Sequence, residues 1–207
     1  MSNIYNPVEV WVRYGVSDLY FGFINQANAV FRYGTFFYIM AAEKHLKALL
    51  LYERKSEYEN ISNIDSKRKK VDDIARRYSH KFDKMIEDAA NIYQSRLEKE
   101  FVPTEYLGFS KDDLIKAMYE GYMETRYPSA LSVSRLFPVK TAKGMYHAPL
   151  GSSFFTDFTR LICKRCWEYL VDQKTLNTES VLASIDEQYS KSIDYEAFYK
   201  EYLSSLA

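Results

Sequence analysis

Phe36-Phe37-Tyr38-Ile39-Met40-Ala41-Ala42-Glu43-Lys44-His45-Leu46-Lys47-Ala48-Leu49-Leu50 is the stretch that decides the fold. Ile39, Ala42, Leu46, Leu49 and Leu50 recur at helical spacing, which predicts a helix to about Arg54 with these residues on its buried side. Upstream, Val12, Val16, Leu19, Tyr20, Phe23, Ala27, Val30 and Phe31 form a second apolar stripe of the same period. Gly15 and Gly22 interrupt that stripe, marking either close packing or a break. Gly34 is expected to end the first helix and Thr35 to cap the next.

Downstream, residues 55 to 70 are charged and polar, ending in Lys67-Arg68-Lys69-Lys70, and read as an exposed loop with Asp65 or Ser66 starting a helix. Val71, Ile74, Ala75 and Tyr78 mark that short helix. Phe82, Met85, Ile86, Ala89, Ile92 and Tyr93 mark another, beginning near Ser79. Ser110 with Asp113 three residues on predicts a capped helix through about Glu124. Tyr127 to Gly151 holds three of the five prolines and no sustained period, so it reads as a long irregular connection. Ser152 or Ser153 then caps a helix carrying Phe155, Phe158, Ile162, Cys166 and Tyr169, and the tail from Thr178 holds two shorter amphipathic patterns separated near Asp194.

Composition agrees with an all-α class. The 207 residues include 19 Tyr and 13 Phe but only 7 Gly and 5 Pro, which favours long packed helices over turn-rich β structure. Basic and acidic residues balance at 28 each, so no global field attracts nucleic acid or an anionic membrane, and any nucleic-acid site must be a local patch. No apolar run approaches the roughly 18 residues of a membrane helix. With two cysteines and no signal-peptide layout at Met1 to Pro7, the expectation is a soluble cytoplasmic protein.

Three stretches together resemble the HEPN family. Ala41-Ala42-Glu43-Lys44-His45-Leu46-Lys47-Ala48-Leu49-Leu50 is similar to the family's second-helix pattern, and Ser79-His80-Lys81-Phe82-Asp83-Lys84-Met85-Ile86 to its Gly-His-Asp-Leu helix opening. Thr125-Arg126-Tyr127-Pro128 is similar to an Arg-Tyr-Pro element that many bacterial members carry after the third core helix. The resemblance spans roughly residues 8 to 173. It implies an antiparallel four-helix core with additional short helices over residues 1–173, and leaves residues 174–207 as a C-terminal helical extension packed on the same domain. It also implies a homodimer, and a role among ribonuclease toxins, defence factors or noncatalytic modules that bind a nucleotide, RNA or a partner protein.

The ribonuclease signature of that family is Arg, four to six residues, then His. His45 would need Arg at 38 to 40, where Tyr38, Ile39 and Met40 stand; His80 meets Asp73, Ile74 and Ala75; His147 meets Lys140, Thr141 and Ala142. The spacing is absent at all three histidines, and the lysine before His147 lacks the guanidinium fork. The expectation is therefore a noncatalytic HEPN-like binding module with Lys44, Lys47, His80, Arg126 and Tyr127 at its cleft, and with no cofactor or metal. Two alternatives stand beside it: an atypical metal-independent endoribonuclease in which His80 or His147 works with a cation distant in sequence, and a structural dimerisation or adaptor protein.

Smaller features have two readings each. Arg76 and Arg77 beside His80 either form a basic patch or are solvated charges. Arg126 either holds an anion or closes a helix C-terminus. Cys163-Lys164-Arg165-Cys166 falls about ten residues inside a predicted helix, where packing cysteines are the simpler reading than a redox or zinc pair.

Overall fold

The computed structural model describes residues 6–106, 108–126, 137–141, 144–148, 153–192 and 194–205. The architecture is mostly helical, and the two opening helices set its frame. Helix α1 spans Pro7–Ala27 and α2 spans Phe31–Glu53. Asn6 accepts from the amides of Val8 and Glu9, and Pro7 occupies the first turn, where its missing N–H costs nothing. The chain reverses through Asn28, Ala29 and Val30, with Ala29 in the left-handed region at φ 58°.

The break thus falls before Gly34 and Thr35, not at them. Both lie inside α2 and both are buried. Gly34 is small because α1 lies against it: a Cβ there would sit 3.2 Å from the Gln26 amide nitrogen and 3.3 Å from the Gly22 carbonyl oxygen. Gly15 and Gly22 serve the same close approach from the α1 side. A Cβ on Gly22 would meet the Tyr38 ring at 2.8 Å, and one on Gly15 would meet the His45 ring at 2.5 Å. Packing, not propensity, explains these glycines.

After a 3₁₀ turn at Lys55–Glu57 come α3, Ile64–Tyr78, and α4, Phe82–Leu97. Asn63 caps α3 by accepting from the Ser66 amide at 2.9 Å, two residues before the expected Asp65 and three before Ser66. Val71, Ile74, Ala75 and Tyr78 are buried as their spacing predicts. Ser79, at φ 49°, makes the corner into α4, which therefore begins at Phe82. Glu57 ties this region together by pairing with Arg54, Lys70 and Arg77, and Arg77 above all holds its carboxyl down to about 2.

Helix α5, Lys111–Arg126, starts where Ser110 Oγ accepts from the Asp113 amide at 3.2 Å and donates to the Asp113 carboxylate at 2.6 Å. A small antiparallel sheet lies beside it, in chain order: β1 Glu105–Tyr106, β2 Phe109–Ser110, β3 Phe137–Thr141 and β4 Gly144–Ala148. The connection read as irregular therefore contains a hairpin, registered from Phe137 opposite Ala148 to Thr141 opposite Gly144. Strands of five residues, one with Pro138 in it, offer too few alternations to be told from loop by period.

Helix α6, Ser153–Asp172, returns along α2, followed by α7, Thr178–Tyr189, and α8, Tyr195–Glu201. On α6 Phe158, Ile162, Cys166 and Tyr169 are buried; the Tyr169 hydroxyl donates to Glu53 and the Tyr93 hydroxyl to Glu168. Burial pushes the thiols of Cys163 and Cys166 up, which favours the packing role. The last helices cover α1 through aromatic contacts: Tyr20 meets Tyr189 at 4.5 Å and Phe198 at 5.2 Å, and the buried Tyr38 and Tyr202 hydroxyls share a 2.9 Å hydrogen bond. Among the described residues no helix is long and apolar enough to cross a membrane.

Two stability predictions follow from the α1–α2 contact. Gly22→Ala is expected to lower unfolding stability by about 1–3 kcal/mol, read by chemical denaturation, because its methyl overlaps the enclosed Tyr38 ring. His45, fully enclosed, has its imidazole pushed by burial from 6.5 down to about 4. In the unfolded chain the imidazole takes a proton below 6.5, whereas the folded one stays neutral to about 4, so the unfolded state binds more protons in that window. Stability should fall by up to about 3 kcal/mol as pH drops through it, and His45→Leu should flatten that part of the profile.

Candidate functional site

Helix α2 is enclosed on nearly every side: Ala41, Ala42, Leu46, Ala48, Leu49, Leu50 and Leu51 are all buried, and so are Glu43, His45 and Lys47. A carboxylate with only 2 % exposure, as at Glu43, persists only with partners for its charge and its lone pairs. It has one on each oxygen. Lys47, one helical turn on, donates to Oε1 at 2.6 Å, and Oε2 lies 2.9 Å from Nδ1 of His80. The Lys47 ammonium also stands 5.5 Å from the Trp11 ring centre, so α1 closes it from the other side.

His80 sits at the corner between α3 and α4, which is what lets a residue 37 positions away reach Glu43. Its other nitrogen, Nε2, is 2.8 Å from the Tyr122 hydroxyl, and the two rings stack at 4.4 Å. Arg126, one turn beyond Tyr122 on α5, donates to that hydroxyl and brings Nη1 to 3.4 Å from His80 Nε2. Phe36 from α2 and Phe82 from α4 hold the Tyr122 ring in place.

The donors and acceptors align in one direction. Arg126 has only N–H groups to give, so the Tyr122 oxygen accepts from it and the Tyr122 O–H donates onward to Nε2. A neutral His80 then carries its proton on Nδ1 and donates to Glu43. From Arg126 to Lys47 the row holds two cations and one carboxylate. Glu43 and Lys47 lie inside; His80 is one-third exposed and Arg126 is exposed. The face toward solvent is therefore an imidazole and a guanidinium, with the buried Tyr122 phenol between them.

Of the five expected cleft residues, the structure brings three to this cluster in two different roles. His80 and Arg126 form its outer end, whereas Lys47 is a buried support that no ligand would touch. Lys44 lies elsewhere: its ammonium pairs with Asp18 at 2.5 Å and stands over the Tyr14 ring at 5.7 Å. Burial raises the Asp18 carboxyl, and Lys44 opposes that rise. Tyr127 falls outside the described residues. Arg77 turns to Glu57, so the basic partner of His80 is the distant Arg126 and not its chain neighbour. His147 is on β4 with its backbone opposite Pro138.

Two members of the cluster, Glu43 and Tyr122, escaped the sequence reading. Tyr122 had a usable signal, since it precedes Arg126 by four residues on one helix face. Glu43 likewise precedes Lys47 by four, but nothing local tells that both are enclosed.

Glu43→Ala should cost about 3–5 kcal/mol in denaturant unfolding, since it strands Lys47 inside the protein without its counter-charge. Glu43→Gln should cost less and still release His80, visible as a changed Nδ1 proton signal by NMR.

Comparison with protein-family models, with curated proteins and with solved structures finds no match to this chain.

Proposed function

We propose that the chain is a HEPN-like helical module that binds the phosphate of a nucleotide or RNA at the outer end of the His80 cluster. The observation that carries this reading is the meeting of Arg126, Tyr122 and His80 above a buried carboxylate already neutralised by Lys47. Arg126 stands at the exposed end of the cluster, and an Arg guanidinium matches phosphate geometry. The overall charge balance of the chain does not oppose this, because binding here is local.

The endoribonuclease alternative gains support from one contact: a cation distant in sequence, Arg126, stands 3.4 Å from the His80 ring nitrogen that faces away from Glu43. In that reading a ribose 2′-hydroxyl displaces the Tyr122 hydroxyl at Nε2 and gives it its proton. The 2′-oxygen then bonds to phosphorus while the P–O5′ bond breaks, giving a 2′,3′-cyclic phosphate and a 5′-oxygen that takes its proton from water, and Arg126 balances the charge that builds on the phosphoryl oxygens.

Titration of the protein with labelled single-stranded RNA in EDTA separates the readings. A binding module leaves the RNA intact, loses about tenfold or more in affinity with Arg126→Ala or His80→Ala, and has its salt dependence reduced by about one in slope by Arg126→Ala. Metal-independent cleavage that disappears with His80→Ala selects the enzyme. Affinity unchanged by either substitution refutes both and returns the cluster to architecture.

A further inference from the structure

We infer that the ligand of the His80 cluster is a nucleotide with an unpaired base, and that the base lies in the groove between α4 and α5 against Tyr119; this rests on the phosphate reading above. The groove encloses about 730 Å³, within the range of small-molecule sites. Ile115 and Tyr119 line it over a floor formed by the buried Phe82 and Ile86. Tyr119 is 49 % exposed, and bases stack on accessible aromatic side chains.

The groove and the cluster adjoin at Phe82, which lines the groove and whose ring lies 6.2 Å from that of Tyr122. On α5 the positions Ile115, Tyr119, Tyr122 and Arg126 follow one another at intervals of four, three and four, and so share a single stripe. Tyr119 and Arg126 are thus about 10 Å apart along the helix, at 1.5 Å per residue.

Charge divides the labour between the two parts. Lys81, Lys111 and Lys116 around the groove are matched by Asp83, Glu87 and Asp112, so the groove has no net attraction for an anion. It suits the uncharged, planar part of a ligand, while the cluster with Arg126 suits the phosphate. A paired base has its π-faces covered by its neighbours in the helix, so the ligand presents an unpaired base, either free or within a single strand.

The test is calorimetric titration of the full chain with inorganic phosphate, adenosine 5′-monophosphate, a single-stranded oligoadenylate RNA, and the same RNA annealed to its complement. Tyr119→Ala is expected to weaken the monophosphate or the single strand at least about fivefold, and to leave inorganic phosphate unchanged. Tyr119→Phe should bind as the parent does, and the annealed RNA more weakly than the single strand. The stronger of the monophosphate and the strand tells a free nucleotide from a polymer. If Tyr119→Ala leaves all affinities unchanged while Arg126→Ala still lowers them, the groove assignment is overturned and the phosphate reading survives. If Arg126→Ala changes nothing, the phosphate reading falls and this inference with it.

Discussion

A carboxylate inside a helix that is covered on nearly all sides is the constraint around which this protein is arranged. Glu43 is almost wholly shielded from water, and an unpaired charge in that position would remove a large share of a domain's total stability. Its two oxygens are met from different directions, by Lys47 on its own helix and by His80 from the α3–α4 corner. The corner must therefore come to α2 at that level. The positive φ at Ser79 and the start of α4 at Phe82 agree with that requirement.

The same pairing gives the site its polarity. Because Lys47 cancels Glu43 from inside, the groups the cluster turns outward are the His80 imidazole and the Arg126 guanidinium. Tyr122 is the hinge between the two halves: it accepts from Arg126, donates to His80 and is itself wedged between Phe36 and Phe82. A guanidinium on a free helix end would be a mobile surface charge of little consequence. Here it is oriented by a phenol whose ring is packed into the core, which is the kind of support that a binding group needs to hold its geometry.

Polar groups in α2 divide into those that face this cluster and those that serve packing alone. His45 donates from Nδ1 to the Ala41 carbonyl and fills the space that Gly15 leaves on α1. Lys44 and Asp18 make a second ion pair across the α1–α2 contact. Three successive residues thus point to three different environments, as the 100° step of a helix requires. Nothing in the run Glu43-Lys44-His45 distinguishes their roles until the neighbouring helices are in place.

The sequence by itself determined the helical class, the positions of most helices and much of the core, because a period of 3.6 with few breakers needs no tertiary information to be read. Val71, Ile74, Ala75 and Tyr78 are buried where the spacing put them, and Ser110 caps α5 as its neighbour Asp113 suggested. Two of the residues chosen for chemistry, His80 and Arg126, do meet, although 46 positions separate them. Only the tertiary structure decided that Lys44 and Lys47 are internal partners, that Glu43 and Tyr122 complete the cluster, and that Gly34 lies within a helix rather than ending one. Those questions turn on which side of a helix another helix covers, and on how close two backbones come. Long-range packing settles both, and the local residue pattern carries no record of it.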